Sequence, residues 1–157
     1  YVIIDWHILS DGNPKQNQEW HFLKNIILVG TPVWSQDVDV AADSPIKGYS
    51  NLMYTFHFYA ATHKEMYREK VKAAVKKGLP VFVSEFGISE SSGNGSIDKK
   101  EANTWIQFLK KNKISYVCWS LSNKDESCSL LKSSSTRTGN FRKTDLSAAG
   151  RWYQAVK

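Results

Sequence analysis

Nowhere in the 157 residues do 18 or more apolar side chains run together, so no segment has the length and apolarity of a membrane-crossing helix. Cysteine is scarce. Cys118 and Cys128 cannot make a disulfide framework, and without a C-x-x-C pair or an H-E-x-x-H segment the chain carries no zinc signature. Cys118 lies inside an apolar run and reads as a buried free thiol, with a Cys118–Cys128 bridge left open as the alternative. Internal repeats are missing, as are low-complexity tracts beyond Ser133-Ser134-Ser135. Acidic residues are outnumbered 15 to 21, a net charge of +6. The basic residues come as isolated pairs, Lys76-Lys77, Lys99-Lys100 and Lys110-Lys111, interleaved with Glu65, Glu69 and Glu101. That is the pattern of solvated helix faces, and no nucleic-acid partner is expected. No signal-peptide pattern opens the chain, which begins at Tyr1 rather than Met; the expectation is a processed chain or a fragment.

The chain is rich in aromatics, at 13%, with six Trp, seven Tyr and seven Phe. Most read as core. A length of 157 residues predicts one domain over 1–157, and a hydrophobic fraction of 41% with 23% charged residues fits a globular chain.

Five apolar runs read as strands buried on both faces, as in parallel sheets: 1–7, 25–31, 51–59, 80–87 and 114–121. Helical spacing appears over 63–77, with Met66, Val71, Ala74 and Val75 on one face, and Gly78 and Pro80 as stop signals. A second helix over 98–111 presents Ala102, Trp105, Ile106 and Leu109, and 148–157 reads as a closing helix. Residues 32–48 read as a loop with one short helix at 38–42, and 122–147 as a long polar loop. The alternation predicts an α/β fold of five parallel strands with intervening helices and right-handed crossovers.

Polar residues gather at the C-terminal ends of these runs: His7, Thr31, His57 with Tyr59, Glu85 and Trp119. In a parallel sheet those ends share one face, which in α/β barrels carries the active site. Glu85 follows Val81-Phe-Val-Ser84, where a solvated surface carboxylate is not expected. It needs donors, and His57 and Tyr59 on the neighbouring run supply them. A carboxylate held by a tyrosine hydroxyl is a nucleophile suited to an anomeric carbon. The bland alternative is a strand-end glutamate satisfying backbone amides. A metal site from His7, His57 and Glu85 is the other alternative, without a supporting motif. Trp34 and Trp119 sit where an indole can stack on a sugar ring.

These segments resemble a known family. Tyr1-Val-Ile-Ile-Asp-Trp-His-Ile-Leu-Ser-Asp-Gly-Asn-Pro14 is similar to the third barrel strand and loop of bacterial-type glycoside hydrolase family 5 endoglucanases (cellulases). Val29-Gly-Thr31 with Trp34-Ser-Gln-Asp37 resembles their fifth, and Met53-Tyr-Thr-Phe-His-Phe-Tyr-Ala-Ala-Thr-His63 their sixth. Val81-Phe-Val-Ser-Glu-Phe-Gly87 resembles the seventh, the nucleophile strand, and Trp119-Ser-Leu-Ser-Asn-Lys-Asp-Glu-Ser127 the eighth. The resemblance implies a partial (β/α)8 TIM barrel, secreted, acting on cellulose or related β-glucans and cello-oligosaccharides without metal or cofactor. It implies Glu85 as nucleophile, His57 and Tyr59 as its catalytic partners, and His7, Trp34, Trp119, Lys124 and Glu126 as substrate-binding residues.

The departures are specific. Strands one, two and four of the family pattern are missing. Strand four, with its Asn-Glu-Pro acid/base motif, should fall between Pro14 and Asn25, and no Asn-Glu-Pro occurs anywhere. Glu19 is the nearest replacement in sequence, ahead of the second run and therefore at the wrong strand end. Pro32-Val33 before Trp34, and Phe86 in place of the usual Trp, are lesser departures. Open edges invite association, so a homodimer or a complementing chain is expected to cover them. Two functions follow: a retaining endo-β-1,4-glucanase, or an inactive β-glucan-binding module derived from one.

Overall fold

The apolar runs pair as a parallel sheet. The computed structural model describes residues 26–156 and, in backbone, residues 4–6. The expected turn at 11–14, Glu19 and His7 lie outside the described residues. Strands β1 (Ile4–Trp6), β2 (Ile27–Val29), β3 (Leu52–Tyr59) and β4 (Val81–Gly87) stand in the order β1-β2-β3-β4. The β1–β2 and β2–β3 pairs are parallel, with Leu28 opposite both Asp5 and Met53. Along β3 and β4 the residue numbers rise together in both strands, from the Tyr54 amide on the Pro80 carbonyl to the Ala60 amide on the Gly87 carbonyl, so this pair is parallel too. Six successive residues of β3, Tyr54 to Tyr59, are buried, as a strand covered on both faces must be.

The chain divides into two compact units, one of Tyr1–Phe56 with Lys70–Phe82, the other of His57–Glu69 with Val83–Lys157. In the first unit Leu28, Val38, Tyr54, Phe56, Val71, Ala74, Leu79 and Val81 are buried. A single turn, α1 (Pro32–Ser35), and a short helix, α2 (Val38–Ala41), follow β2. In the second unit Phe58 stacks on Phe86 at 5.2 Å and on Trp105 at 4.0 Å. Phe86, standing where the family pattern has Trp, also meets Tyr116, Trp152 and Tyr153.

The helices match their patterns unequally. In α4 (Lys99–Lys111) all four expected core residues are buried. Asp98 caps it by accepting the Glu101 amide at 2.9 Å, and Lys110 and Lys111 stand in the last turn, where a cation offsets the helix dipole. In α3 (Glu65–Lys76) the expectation fails on one face: Met66 is 62% exposed, Val75 36%, and Arg68 is buried. Arg68 is held there by carboxylates of Glu65 and Glu101 and by the Trp105 ring, 5.2 Å from its guanidinium. A paired, ring-stacked guanidinium tolerates burial that a lone charge does not.

The fifth run also departs from expectation. Residues 114–121 form one isolated parallel bridge, Val83 to Tyr116, rather than a strand. The Val83 amide donates to Ser115, and the Val117 and Trp119 amides donate to Val83 and Phe86. Val117, Trp119 and Leu121 are 42%, 47% and 65% exposed, although the segment is bonded to β4 on one side and its Ser120 carbonyl accepts the Leu130 amide at 3.1 Å. The closing helix α5 (Ala148–Val156) is capped by Ser147 Oγ, which accepts the Gly150 amide at 2.9 Å. Gly150 lies against the Leu130 carbonyl, and a Cβ there would sit 2.0 Å from that oxygen. Gly150→Ala is therefore expected to destabilise the chain by about 1–3 kcal/mol through overpacking, outweighing the ~1 kcal/mol gain in helix propensity. Urea unfolding followed by circular dichroism checks it, and an unchanged or raised midpoint would contradict this packing.

Candidate active site

In a strand, residues two apart share a face, so β3 presents His57 and Tyr59 together while Phe58 enters the core. On β4, Phe86 is fully buried and the Glu85 side chain keeps 23% of its surface exposed. The parallel pairing brings these side chains into contact. The Tyr59 hydroxyl donates to Glu85 Oε1 at 2.8 Å. His57 Nδ1 lies 3.8 Å from Glu85 Oε2, and His57 Nε2 shares a 2.8 Å hydrogen bond with Ser84 Oγ. One carboxylate oxygen is thus occupied by the phenol, while the other faces the imidazole beyond hydrogen-bond range.

Burial raises the Tyr59 phenol far above the ordinary tyrosine value, and the bond to Glu85 and its charge add to the shift. The shift favours the protonated hydroxyl, the form that donates to Glu85. The Tyr59 ring lies across Gly87, where a Cβ would meet the ring at 2.6 Å and 2.7 Å. A hydrogen atom at position 87 is what lets the phenol reach Glu85.

Trp119 follows on the neighbouring segment, its amide bonded to the Phe86 carbonyl at 2.8 Å and its indole 47% exposed. Lys124 Nζ and Glu126 Oε1 are 3.7 Å apart. They border an open depression of about 380 Å³ that Leu131, Ala148 and Arg151 also line. Their loop is latched to the preceding Gly/Ser loop by the Ser127 hydroxyl on the Gly95 carbonyl at 2.6 Å and the Cys128 amide on the Gly93 carbonyl at 2.9 Å. Cys118 and Cys128 are both free thiols. Burial pushes Cys118 up to about 12, with Cys128 adding to the effect.

Trp34 belongs to the first unit. Val33, Trp34 and Ser35 all have left-handed backbone, with φ of 54°, 51° and 59°. The turn leaves the indole 83% exposed and buries Ser35 beneath it. Thr55 Oγ1 donates to Ser35 Oγ at 2.7 Å, and Thr31 Oγ1 to the Thr55 carbonyl at 3.1 Å. These bonds hold a conformation that costs a β-branched residue about 1–3 kcal/mol.

Of the residues singled out in the sequence, His57, Tyr59 and Glu85 are thus in one cluster and Lys124 and Glu126 form a pair, while His7 lies outside the described residues. Among the described residues no group of three or more His, Cys, Asp and Glu side chains is placed to hold a metal ion. The sequence reading overlooked Ser84, the partner of His57, and Gly87. Both lie within the run that carries Glu85, and their signal was small size beside a strand-end carboxylate.

Comparison with known proteins places these features in context. The family model for cellulase (glycosyl hydrolase family 5) matches residues 21–125. An endoglucanase of Clostridium saccharobutylicum is 38% identical over 199 aligned positions, covering 96% of this chain and 44% of that protein. The alignment is longer than the chain, so that relative carries residues inside the matched stretch for which this chain has no counterpart. Among solved structures, cellulase Cel5C_n is 42% identical, with a TM-score of 0.77 over 83% of this chain and 40% of that one. A variant of the endoglucanase Cel5A catalytic domain of Thermobifida fusca, solved with cellotetraose, is 31% identical with a TM-score of 0.74, over 83% of this chain and 45% of that one. The chain spans less than half the length of the endoglucanases of Clostridium saccharobutylicum and Butyrivibrio fibrisolvens that it matches.

Gly87→Ala should swing the Tyr59 ring off Glu85. Of the seven tyrosines, one more should then titrate near the ordinary value of about 10 than in the parent chain. Ultraviolet titration in alkali counts them, and an unchanged count would show that the ring does not depend on this clearance.

Proposed function

This chain belongs to the cellulase family, glycosyl hydrolase family 5, and from that premise we propose that it cleaves internal β-1,4-glucosidic bonds of cellulose or related β-glucans by retaining double displacement, with Glu85 as nucleophile. The observation that carries this reading is the partly exposed cluster at the ends of β3 and β4, where Tyr59 donates to one oxygen of Glu85 and leaves the other open. The fold supports it as well, since the structural relatives are TIM barrels and the sheet here is part of one. In such barrels the C-terminal strand ends carry the chemistry.

In the first step Glu85 Oε2 attacks the anomeric carbon, the glycosidic carbon–oxygen bond breaks, and the leaving oxygen takes a proton from an acid. In the second, water attacks the same carbon, gives up a proton to the conjugate base of that acid, and frees the Glu85 carboxylate. The Tyr59 hydroxyl holds Oε1 throughout and orients the attacking oxygen; as charge leaves Glu85 on attack, its hold slackens, and the returning charge favours deglycosylation. His57, fixed by Ser84, keeps the second oxygen in line. Trp34 and Trp119 are the sugar platforms, and Lys124 with Glu126 binds sugar hydroxyls at the edge of the depression.

The reading requires a second carboxyl group about 5 Å from Glu85 to act as acid and base. The sequence has no Asn-Glu-Pro segment, and the reading assigns that group to a complementing chain. The protein acts outside the cell, where an insoluble polymer substrate is found.

Glu85→Ala is expected to lower release of reducing ends from carboxymethylcellulose by a factor of about 10³ or more, while binding of cellotetraose persists. Equal turnover by the variant and its parent would sink the nucleophile assignment. Binding without reducing ends from either protein would favour the inactive β-glucan-binding module. Trp119→Ala should weaken cellotetraose binding by about 1 kcal/mol, roughly fivefold, read by calorimetry, if its face stacks on a glucose ring.

A further inference from the structure

The turn that follows β3 is closed twice by one residue. The His63 amide donates to the Tyr59 carbonyl at 2.8 Å, and the Tyr59 amide donates back to His63 Nδ1 at 2.8 Å. His63 is 4% exposed. Its carbonyl accepts the Trp105 indole N–H at 2.8 Å, and its ring lies 4.5 Å from Tyr67 and 6.5 Å from Tyr59. An Nδ1 that accepts a hydrogen bond carries no proton, so the neutral ring holds its proton on Nε2. The residue gripped from both sides is the one whose hydroxyl occupies Glu85.

We propose that His63 is a positioning residue: as a neutral imidazole it fixes the Tyr59 backbone, and through it the bond of the phenol to Glu85. Protonation at Nδ1 replaces an acceptor with a second donor facing the Tyr59 amide, and that opposition releases the turn. The proposal deepens the glucanase reading and rests on it for its effect on turnover, while its structural content is measurable without turnover.

The titratable and charged groups on the surrounding elements are Tyr59 on β3, Tyr67, Arg68 and Glu65 on α3, Glu101 on α4, and Lys64 with Asp98 on the flanking loops. Arg68 is paired with Glu65 and Glu101, and Lys64 with Asp98 at 2.7 Å. Burial holds the imidazole below its ordinary value. Since the folded chain binds this proton less readily than the unfolded one, the sign is fixed. The stability present above the unfolded value of about 6.5 is lost as pH falls from there through the lowered folded value.

The test is nuclear magnetic resonance of the whole chain, labelled with 15N-histidine and 13Cζ-tyrosine, titrated from pH 8 to pH 4. The parent and three variants, His63→Asn, His63→Leu and Tyr59→Phe, are compared, the last to assign the Tyr59 signal. At neutral pH the His63 Nδ1 resonance should be that of an unprotonated nitrogen. On acidification the Tyr59 signal should move with the His63 midpoint. In His63→Asn, whose amide oxygen can accept the same N–H, the Tyr59 signal should match the neutral parent, and the component sharing the His63 midpoint should vanish. In His63→Leu the signal should be displaced at every pH. A protonated Nδ1 at neutral pH, a Tyr59 signal indifferent to the His63 titration, or an asparagine variant displaced at all pH would each overturn the proposal. The parent titration decides it even where the leucine variant fails to fold. Failure here leaves the glucanase reading standing, whereas full turnover by Glu85→Ala would sink that reading and leave the His63 and Tyr59 resonances as they were.

Discussion

The stack of Phe58 on Phe86 and Trp105 is the contact on which the site depends. Strand geometry sends neighbours to opposite faces, so burying Phe58 commits His57 and Tyr59 to the other side, and burying Phe86 does the same for Glu85. Each such ring contributes about 1.5–3 kcal/mol by burial, with about 0.5–1.5 kcal/mol more for each well-placed aromatic pair. A slip of one residue in either strand would bring the core rings out and the site residues in. Trp105 extends the lock to helix α4 and, through its indole N–H, to the carbonyl of His63. The same three rings thus fix a register, seat a helix and brace the turn behind Tyr59.

Much of this was legible because it depends on local chemistry. Helix α4 carries its apolar stripe in sequence, with Asp98 ahead of it and lysines behind, and all four stripe residues are buried. The pairing of Tyr59 with Glu85 was legible as two polar residues ending adjacent parallel strands. The features not legible are those set by distant partners. Arg68 is buried because Glu65 on its own helix, Glu101 and the Trp105 face meet it, and nothing in the local pattern of α3 announces the last two. Residues 114–121 have the apolar character of an inner strand, yet exposure of Val117 and Leu121 depends on which neighbours the sheet holds. The left-handed turn at Val33 is the clearest failure of local reasoning, since β-branched residues avoid that region.

That turn and the Tyr59 clamp solve one problem in different ways. An aromatic side chain that must hold a fixed direction at a strand end needs its backbone pinned. At Trp34 the pin is a strained turn, with Ser35 bonded beneath it to Thr55. At Tyr59 it is an unstrained turn bonded reciprocally by His63. The first leaves its indole in solvent, and the second leaves its phenol on a carboxylate. Both rely on one small or polar residue near the aromatic rather than on the aromatic itself.

The two thiols have a chemical consequence. With Cys118 pushed up to about 12 by burial, it is less ionised near pH 7 than an ordinary cysteine. Alkylation, thiol exchange and peroxide oxidation all proceed through the thiolate, so each is slowed at Cys118. Cys128, also raised by burial, is quietened in the same direction. The two sulfurs are thus unpaired in the fold and held toward the protonated thiol, the form least ready to cross-link.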